Sequence, residues 1–168
     1  MLMLVLRFTH IVFGALWVGM MVFTVFFLAP AVAEAGPEGG KLMAALQRRK
    51  IMIIMPVFAL ITLVSGMWLF DRLAGGQHAA LMQTPMGMAF AWGALAAVIA
   101  FLLGIIVMRP IMVKVTKLGE VLATAPPEER AARSAEIQRL RGRSNMLSRV
   151  VAVLLLFALA AMAVARYV

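Results

Sequence analysis

The chain contains no cysteine among its 168 residues. Disulfides, covalently attached c-type haem, thiolate metal sites and iron–sulfur clusters ligated by this chain are therefore excluded. Charged side chains are also scarce, at 14% of residues, whereas hydrophobic residues make up 64%. A soluble protein of this composition would have too little polar surface to stay in solution. The composition therefore indicates a single membrane domain, residues 1–168.

Acidic residues are few as well, with 7 Asp and Glu against 16 Lys and Arg, which gives a net charge of +9. No motif that reads a nucleic-acid groove accompanies this charge, so we expect membrane lipids rather than nucleic acid as its partner. No carboxylate lies within an apolar segment, which disfavours a relay of protons along acids. The sequence also lacks a Ser–His–Asp set, a phosphate-binding loop, a zinc motif and the broken helices of a transporter.

Four apolar segments are long enough to cross a bilayer core of ~30 Å as helices, which takes about 20 residues. They are residues 4–28, 51–70, 86–108 and 144–165. Their central parts carry no charge apart from Arg149, near the start of the fourth. Short connections favour antiparallel neighbours, so the predicted fold is an all-α, integral membrane, up-down four-helix bundle.

Prolines and capping residues predict where the helices begin and end. We expect Pro30, Pro85 and Pro110 at helix ends, because proline stops or starts helices. In the charged connection, Thr124 precedes two prolines and then Glu128 and Glu129, which predicts a helix start capped by the Thr124 hydroxyl. Residues 111–143 are thus expected to form a helical loop that runs into the fourth segment.

The basic residues are distributed unequally, and this predicts the orientation. Nearly all of them lie in residues 30–50 and 109–143 or at their flanks; the exceptions are Arg7, Arg72 and Arg166. The positive-inside rule places both basic connections in the cytoplasm. Both termini and the connection of residues 71–85 then face outward, toward the periplasm of a Gram-negative cell. The expected location is the inner (plasma) membrane, crossed four times.

A signal peptide is an alternative interpretation of the first segment, because Ala31-Val-Ala33 resembles a signal-peptidase site. The apolar run is longer than the usual core of a signal peptide. Cleavage would also require export of the basic first connection, against the charge rule. We therefore treat the first segment as a membrane span.

His10 lies about two turns into the first predicted span, where Arg7 is the only formal charge. An ionisable side chain inside a bilayer is costly and usually faces a bundle interior, and imidazole is well suited to bind haem iron or another metal. Gly14 and Trp17 share its helix face. Gly14 would leave room for a flat macrocycle, and Trp17 would form an apolar wall or donate its N–H. The same pattern also fits a buried histidine bonded to a neighbouring helix, beside a glycine that allows close contact.

A second ligand is less well defined. His78, the other histidine, lies in the connection of residues 71–85, on the same predicted side as His10, which would permit a bis-histidine haem. It also fits a solvated loop side chain. Methionine is a further candidate axial ligand, and a group of methionines could suit Cu(I), but the 15 methionines follow no binding motif.

Residues 6–19, LRFTHIVFGALWVG, resemble the first helix of a group of small bacterial membrane proteins. The group includes the copper-resistance protein D type, the HemJ-type protoporphyrinogen oxidases and the membrane part of PuuD-type urate oxidases. The resemblance implies that His10 is a ligand of haem b. Residues 28–31 lack the arginine of the HemJ-type Leu-Pro-Arg stretch, and the chain has no cysteines for the cytochrome c domain of a PuuD-type enzyme, so the resemblance covers the membrane module alone.

Two hypotheses about function follow. In the first, the chain is a haem b-binding redox or electron-transfer module with His10 as the axial iron ligand, working with other membrane redox subunits or as a homo-oligomer. In the second, it is a non-catalytic accessory subunit of a larger respiratory or photosynthetic complex, without a cofactor, and His10 is a polar contact between helices. Neither defines a substrate, and whether the chain is an enzyme stays open.

Overall fold

The computed structural model describes the backbone of residues 1–168 and all side chains except those of Pro37, Ala123 and Thr124. Four helices are long and apolar enough to cross a membrane. The helices are α1 (Leu2–Glu34), α2 (Pro37–Arg48), α3 (Ile51–Ala74), α4 (His78–Met82), α5 (residues 85–124) and α6 (Pro127–Val164), followed by a short 3₁₀ turn, Ala165–Tyr167. The described backbone contains no β-strand, which confirms the all-α prediction.

Pro30 and Pro110 lie inside long helices, so the prediction that they end helices was wrong. Each proline lies two residues beyond the end of a π-helical segment, which is Thr24–Leu28 for Pro30 and Leu103–Met108 for Pro110. Proline has no N–H, and its ring clashes with the carbonyl four residues earlier. A π turn moves the hydrogen bonds to the carbonyl five residues earlier and so relieves the clash, which lets the helix continue. Pro85 does begin a helix, as predicted.

The first connection contains a helix where the sequence predicted a loop. Gly36, with φ +55°, turns the chain from α1 into α2. Gly39 is buried, and a Cβ added there would run into the backbone of Val32 near the end of α1. The glycines therefore permit a turn and a close helix contact rather than a loose loop. Lys50, with φ 58°, then turns the chain directly into α3.

The second half of α5 and the first half of α6 pack together as a charged hairpin. Its seam consists of the buried aliphatic residues Ile111, Val115, Ile137 and Leu140. Helix α6 begins at Pro127 with Glu128 and Glu129 in its first turn and runs unbroken into the apolar segment, as predicted. The predicted Thr124 cap lies outside the described side chains, and the residue preceding α6 is Pro126.

An exposed ion pair joins the two arms of this hairpin. Lys114 Nζ donates to Glu136 Oε1 at 2.6 Å. The hydrogen bond and the positive charge of Lys114 hold the pKa of the Glu136 carboxyl below its ordinary value. The pair is therefore charged at neutral pH, although exposure to solvent keeps its contribution to stability small.

The long helices associate as two close pairs, α1 with α3 and α5 with α6. The pairs meet through contacts of α1 with α6 and of α3 with α5. Small residues dominate the shared core: Ala59, Ala96, Ala97, Ala100, Ala152 and Ala158 are all buried. Small side chains let helix backbones approach closely, which is how apolar helices associate in lipid. Leu155 is the largest side chain that is almost completely buried among the described residues.

Candidate functional site

His10 lies at the contact between α1 and α3. Its Nδ1 is 2.9 Å from the backbone oxygen of Thr62. A carbonyl oxygen can only accept, so Nδ1 carries a proton and donates it to Thr62. No hydrogen bond joins Nε2 to another described residue. All fully buried polar side-chain atoms of the described, non-exposed residues have a partner, so Nε2 is not fully buried. The contact therefore orients the ring and leaves one nitrogen available as a ligand.

Ser65 completes the polar surroundings of Nδ1. Its hydroxyl donates to the carbonyl of Ile61 at 2.6 Å, so it can only accept from His10, at a longer 3.5 Å. Thr62 also uses its hydroxyl within its own helix, donating to the carbonyl of Phe58 at 2.8 Å. Both hydroxyls are thereby satisfied, and the histidine is the only titratable group in this cluster.

Gly66 makes room for the imidazole. A Cβ added there would lie 2.7 Å from Cε1 and 3.0 Å from Nδ1 of His10, closer than real Cβ contacts. The ring therefore lies against the bare backbone of α3, one turn beyond Thr62. Any larger residue at position 66 would force the imidazole to move and would disturb its bond to the Thr62 carbonyl.

Gly14 and Trp17, predicted to share the face of His10, have different surroundings. A Cβ at Gly14 would lie 3.3 Å from the methyl of Thr62, so this glycine faces the contact between α1 and α3. Trp17 is only 6% exposed and belongs to the shared core. In this structure Gly14 brings Thr62 close to α1, and Trp17 packs the core one to two turns away from the imidazole.

His78 is not brought to His10. Its Nε2 lies 3.1 Å from Oδ1 of Asp71, and the side chain is half exposed at the start of α4. Asp71 lies five residues beyond Gly66 on α3, about 7.5 Å along the helix axis. The two histidines therefore occupy separate places. Among the described residues, no group of three His, Cys, Asp or Glu side chains could hold a metal ion.

An apolar groove of about 340 Å³ runs between α1 and α3 beside this contact. Leu6 and Thr9 line it from α1, and Val64, Ser65 and Trp68 line it from α3. Val64 and Trp68 are exposed, so the groove opens to the surface of the protein. Ser65 both lines the groove and contacts His10, which places the groove next to the histidine.

Sequence reasoning identified His10 but missed its partners, Thr62, Ser65 and Gly66. These residues stand out as a polar and small patch in the otherwise apolar stretch of residues 51–70, which is typical of helix packing. A comparison of how far this patch lies into the second predicted span with how far His10 lies into the first would have indicated that the two are in contact. The acceptor itself is a backbone carbonyl, which no residue type can reveal.

The comparisons with known proteins give no relative. No family model, curated protein or solved structure matches the chain. Its function therefore has to be inferred from the contacts of its own residues.

Proposed function

We propose that the chain is an integral membrane protein with an up-down four-helix bundle that binds haem b through Nε2 of His10 and serves in electron transfer. The observation that carries the haem assignment is the bond from Nδ1 to the Thr62 carbonyl at 2.9 Å. Histidines that ligate metals almost always donate their other ring N–H to a carbonyl or carboxylate, which fixes the tautomer and the ring orientation. The resemblance of residues 6–19 to a haem-binding first helix supports the same assignment.

The donor set fits a haem held by one protein ligand. The imidazole is oriented by its Nδ1 bond, its Nε2 has no hydrogen-bond partner among the described residues, and Thr62 and Ser65 on α3 carry no charge. Thr62 and Ser65 would hold the Nδ1 proton, and Gly66 would keep the ring in place. Haem b, when bound, would supply reversible one-electron chemistry. Gly14 acts in this proposal by bringing Thr62 close to α1.

The bundle would lie in the inner (plasma) membrane with both termini outward and residues 30–50 and 109–143 in the cytoplasm. Support comes from the concentration of Lys and Arg in those two segments.

The orientation can be tested with cysteine labelling. Because the chain has no cysteine, single cysteines introduced one at a time report orientation directly. Labelling of intact cells with an impermeant maleimide should modify Gln77→Cys and leave Ser134→Cys unmodified. The opposite pattern would reverse the proposed orientation.

The haem proposal is tested on protein purified in mild detergent. We expect a Soret band, an α band in the reduced-minus-oxidised spectrum and about one iron per chain. His10→Ala should abolish these signals, whereas His78→Ala, which removes the other histidine, should leave them unchanged. Absence of haem and iron from the folded wild-type protein, or a haem signal that survives His10→Ala, would overturn the assignment.

A cofactor-free accessory subunit is the second candidate. The observation in its favour is that His10 already forms a close contact with α3 through Thr62 and Gly66. A polar contact of this kind stabilises helix association in a membrane without any ligand. This function predicts a folded protein without haem that copurifies with stoichiometric membrane partners, and a loss of stability in His10→Ala.

A further inference from the structure

Helix α2 carries an apolar edge that the rest of the chain leaves partly uncovered. Leu42, Met43 and Leu46 lie on this edge, and Leu42 is 48% exposed. The beginning of α2 is fixed by the contact of Gly39 with Val32, so the helix does not move freely away from α1. A short helix with an apolar edge on one side and charged residues on the other suits a membrane interface.

Three cations follow this edge directly. Arg48 ends α2, and Arg49 and Lys50 form the turn into α3; all three side chains are exposed. The left-handed backbone of Lys50 makes the turn tight, so Ile51, the first residue of apolar α3, comes immediately after it. The cations are thus held within three residues of the start of an apolar helix, which is the level of the lipid headgroups if α3 crosses a bilayer.

No carboxylate among the described residues forms an ion pair with these three cations. The acidic residues that do form ion pairs with Lys or Arg have other partners: Glu38 with Lys41, Glu129 with Arg133 and Glu136 with Lys114. The concentrated positive charge is therefore available to an external anion. Guanidinium groups suit phosphate in particular, because they can donate two parallel hydrogen bonds to it.

We propose that this basic turn, residues 48–50, together with the apolar edge of α2 binds the headgroup of an anionic phospholipid. The cations would contact the phosphate and the headgroup charge, and Leu42 would lie at the boundary with the acyl chains. Apolar area and positive charge lie side by side, which favours a lipid as the partner. An acidic soluble protein would match the positive charge but not the apolar area. The inference rests on the membrane insertion proposed above.

The test uses the full-length protein in phosphatidylcholine vesicles with spin-labelled phosphatidylglycerol or spin-labelled phosphatidylcholine as the probe. We expect the protein to bind the anionic probe at least about fivefold more strongly, because a single cation near an anionic surface already contributes about 1 kcal/mol. The triple variant Arg48→Gln/Arg49→Gln/Lys50→Gln should lose most of this preference. The matched control Arg7→Gln/Arg72→Gln/Arg166→Gln removes the same charge elsewhere and should keep it.

A second measurement tests the apolar edge. Spin labels on Leu42→Cys and on Lys41→Cys report depth through their relative accessibility to oxygen and to a water-soluble nickel chelate. The label at position 42 should favour oxygen, and the label at position 41 should favour the chelate. Equal access of the chelate to both positions would overturn the interfacial placement of α2.

Insertion is checked on the same vesicles by resistance to alkaline carbonate extraction. A protein that resists extraction but shows no lipid preference, or loses it equally in both triple variants, overturns the lipid site alone. A protein that carbonate extracts overturns membrane insertion itself.

Discussion

The role of His10 depends on the residues of α3 that it contacts. An imidazole in an apolar helix is costly unless it is bonded, and here the backbone of α3 supplies the acceptor at 2.9 Å. The bond is possible only because position 66 has no side chain. The glycine is therefore as necessary to the site as the histidine, although it carries no chemistry of its own.

Gly66→Ala should destabilise the protein by about 1–3 kcal/mol, the usual cost of forcing an extra carbon into a packed contact. The new Cβ would lie 2.7 Å from His10 Cε1, so the ring must shift. Thermal unfolding in detergent measures the stability, and the NMR resonance of the His10 Cε1 proton reports the shift. Gly19→Ala is the matched control, since a Cβ there meets nothing within 4 Å. Equal stability of the two variants would contradict the proposed contact.

The sequence predicted the site only in part, for a physical reason. His10 is conspicuous because an imidazole inside an apolar run is unusual whatever surrounds it. Thr62, Ser65 and Gly66 become its partners through the rotation and register of α3 against α1, which no local pattern specifies. Gly14 was predicted either to clear space for a ligand or to allow close contact between helices, and it lies against Thr62; the same missing side chain serves either purpose.

The helices themselves were more predictable than their connections. Runs of about 20 apolar residues are a strong signal, because few other structures tolerate them. Proline and glycine gave weaker guidance. Pro30 and Pro110 allow the helix to continue where π turns precede them, and Gly39 permits close packing of α2. In each case the neighbouring element decides what the residue does.

The hairpin of α5 and α6 should respond to acid through Glu136. Because Lys114 lowers the pKa of this carboxyl, its contribution to stability is fully present above the ordinary value of 4.5 and is lost as the pH falls through the lowered pKa. Melting temperatures of the wild-type protein and Glu136→Gln should thus differ slightly at pH 6 and converge in strong acid. Glu120→Gln, an exposed acid on the same hairpin, should show a smaller difference at pH 6. If the melting temperatures of the wild-type protein and Glu136→Gln still differed by the same amount in strong acid, the ion pair would be contradicted.

The whole molecule is held together mainly by the contacts within its two helix pairs. The core that the pairs share contains small residues and a few larger ones, among them Leu155 on α6, which is 1% exposed. In water, apolar burial would drive this association, but in lipid the gain comes from close packing. A side chain that fills the shared core should therefore matter far more than an equally apolar one on the outer surface.

Leu155 and Leu156 are adjacent residues of the same type, so replacing each in turn tests whether core and surface positions differ in their effect on stability. Leu155 lies in the shared core, whereas Leu156 is 41% exposed. Leu155→Ala should lower the free energy of unfolding by about 2–5 kcal/mol, because the removed atoms leave a cavity among residues that cannot close it. Leu156→Ala should change it by less than about 0.5 kcal/mol, as is usual for surface substitutions. Both values come from unfolding in mixed micelles of constant composition. Equal losses in the two variants would contradict the burial of Leu155 in the shared core.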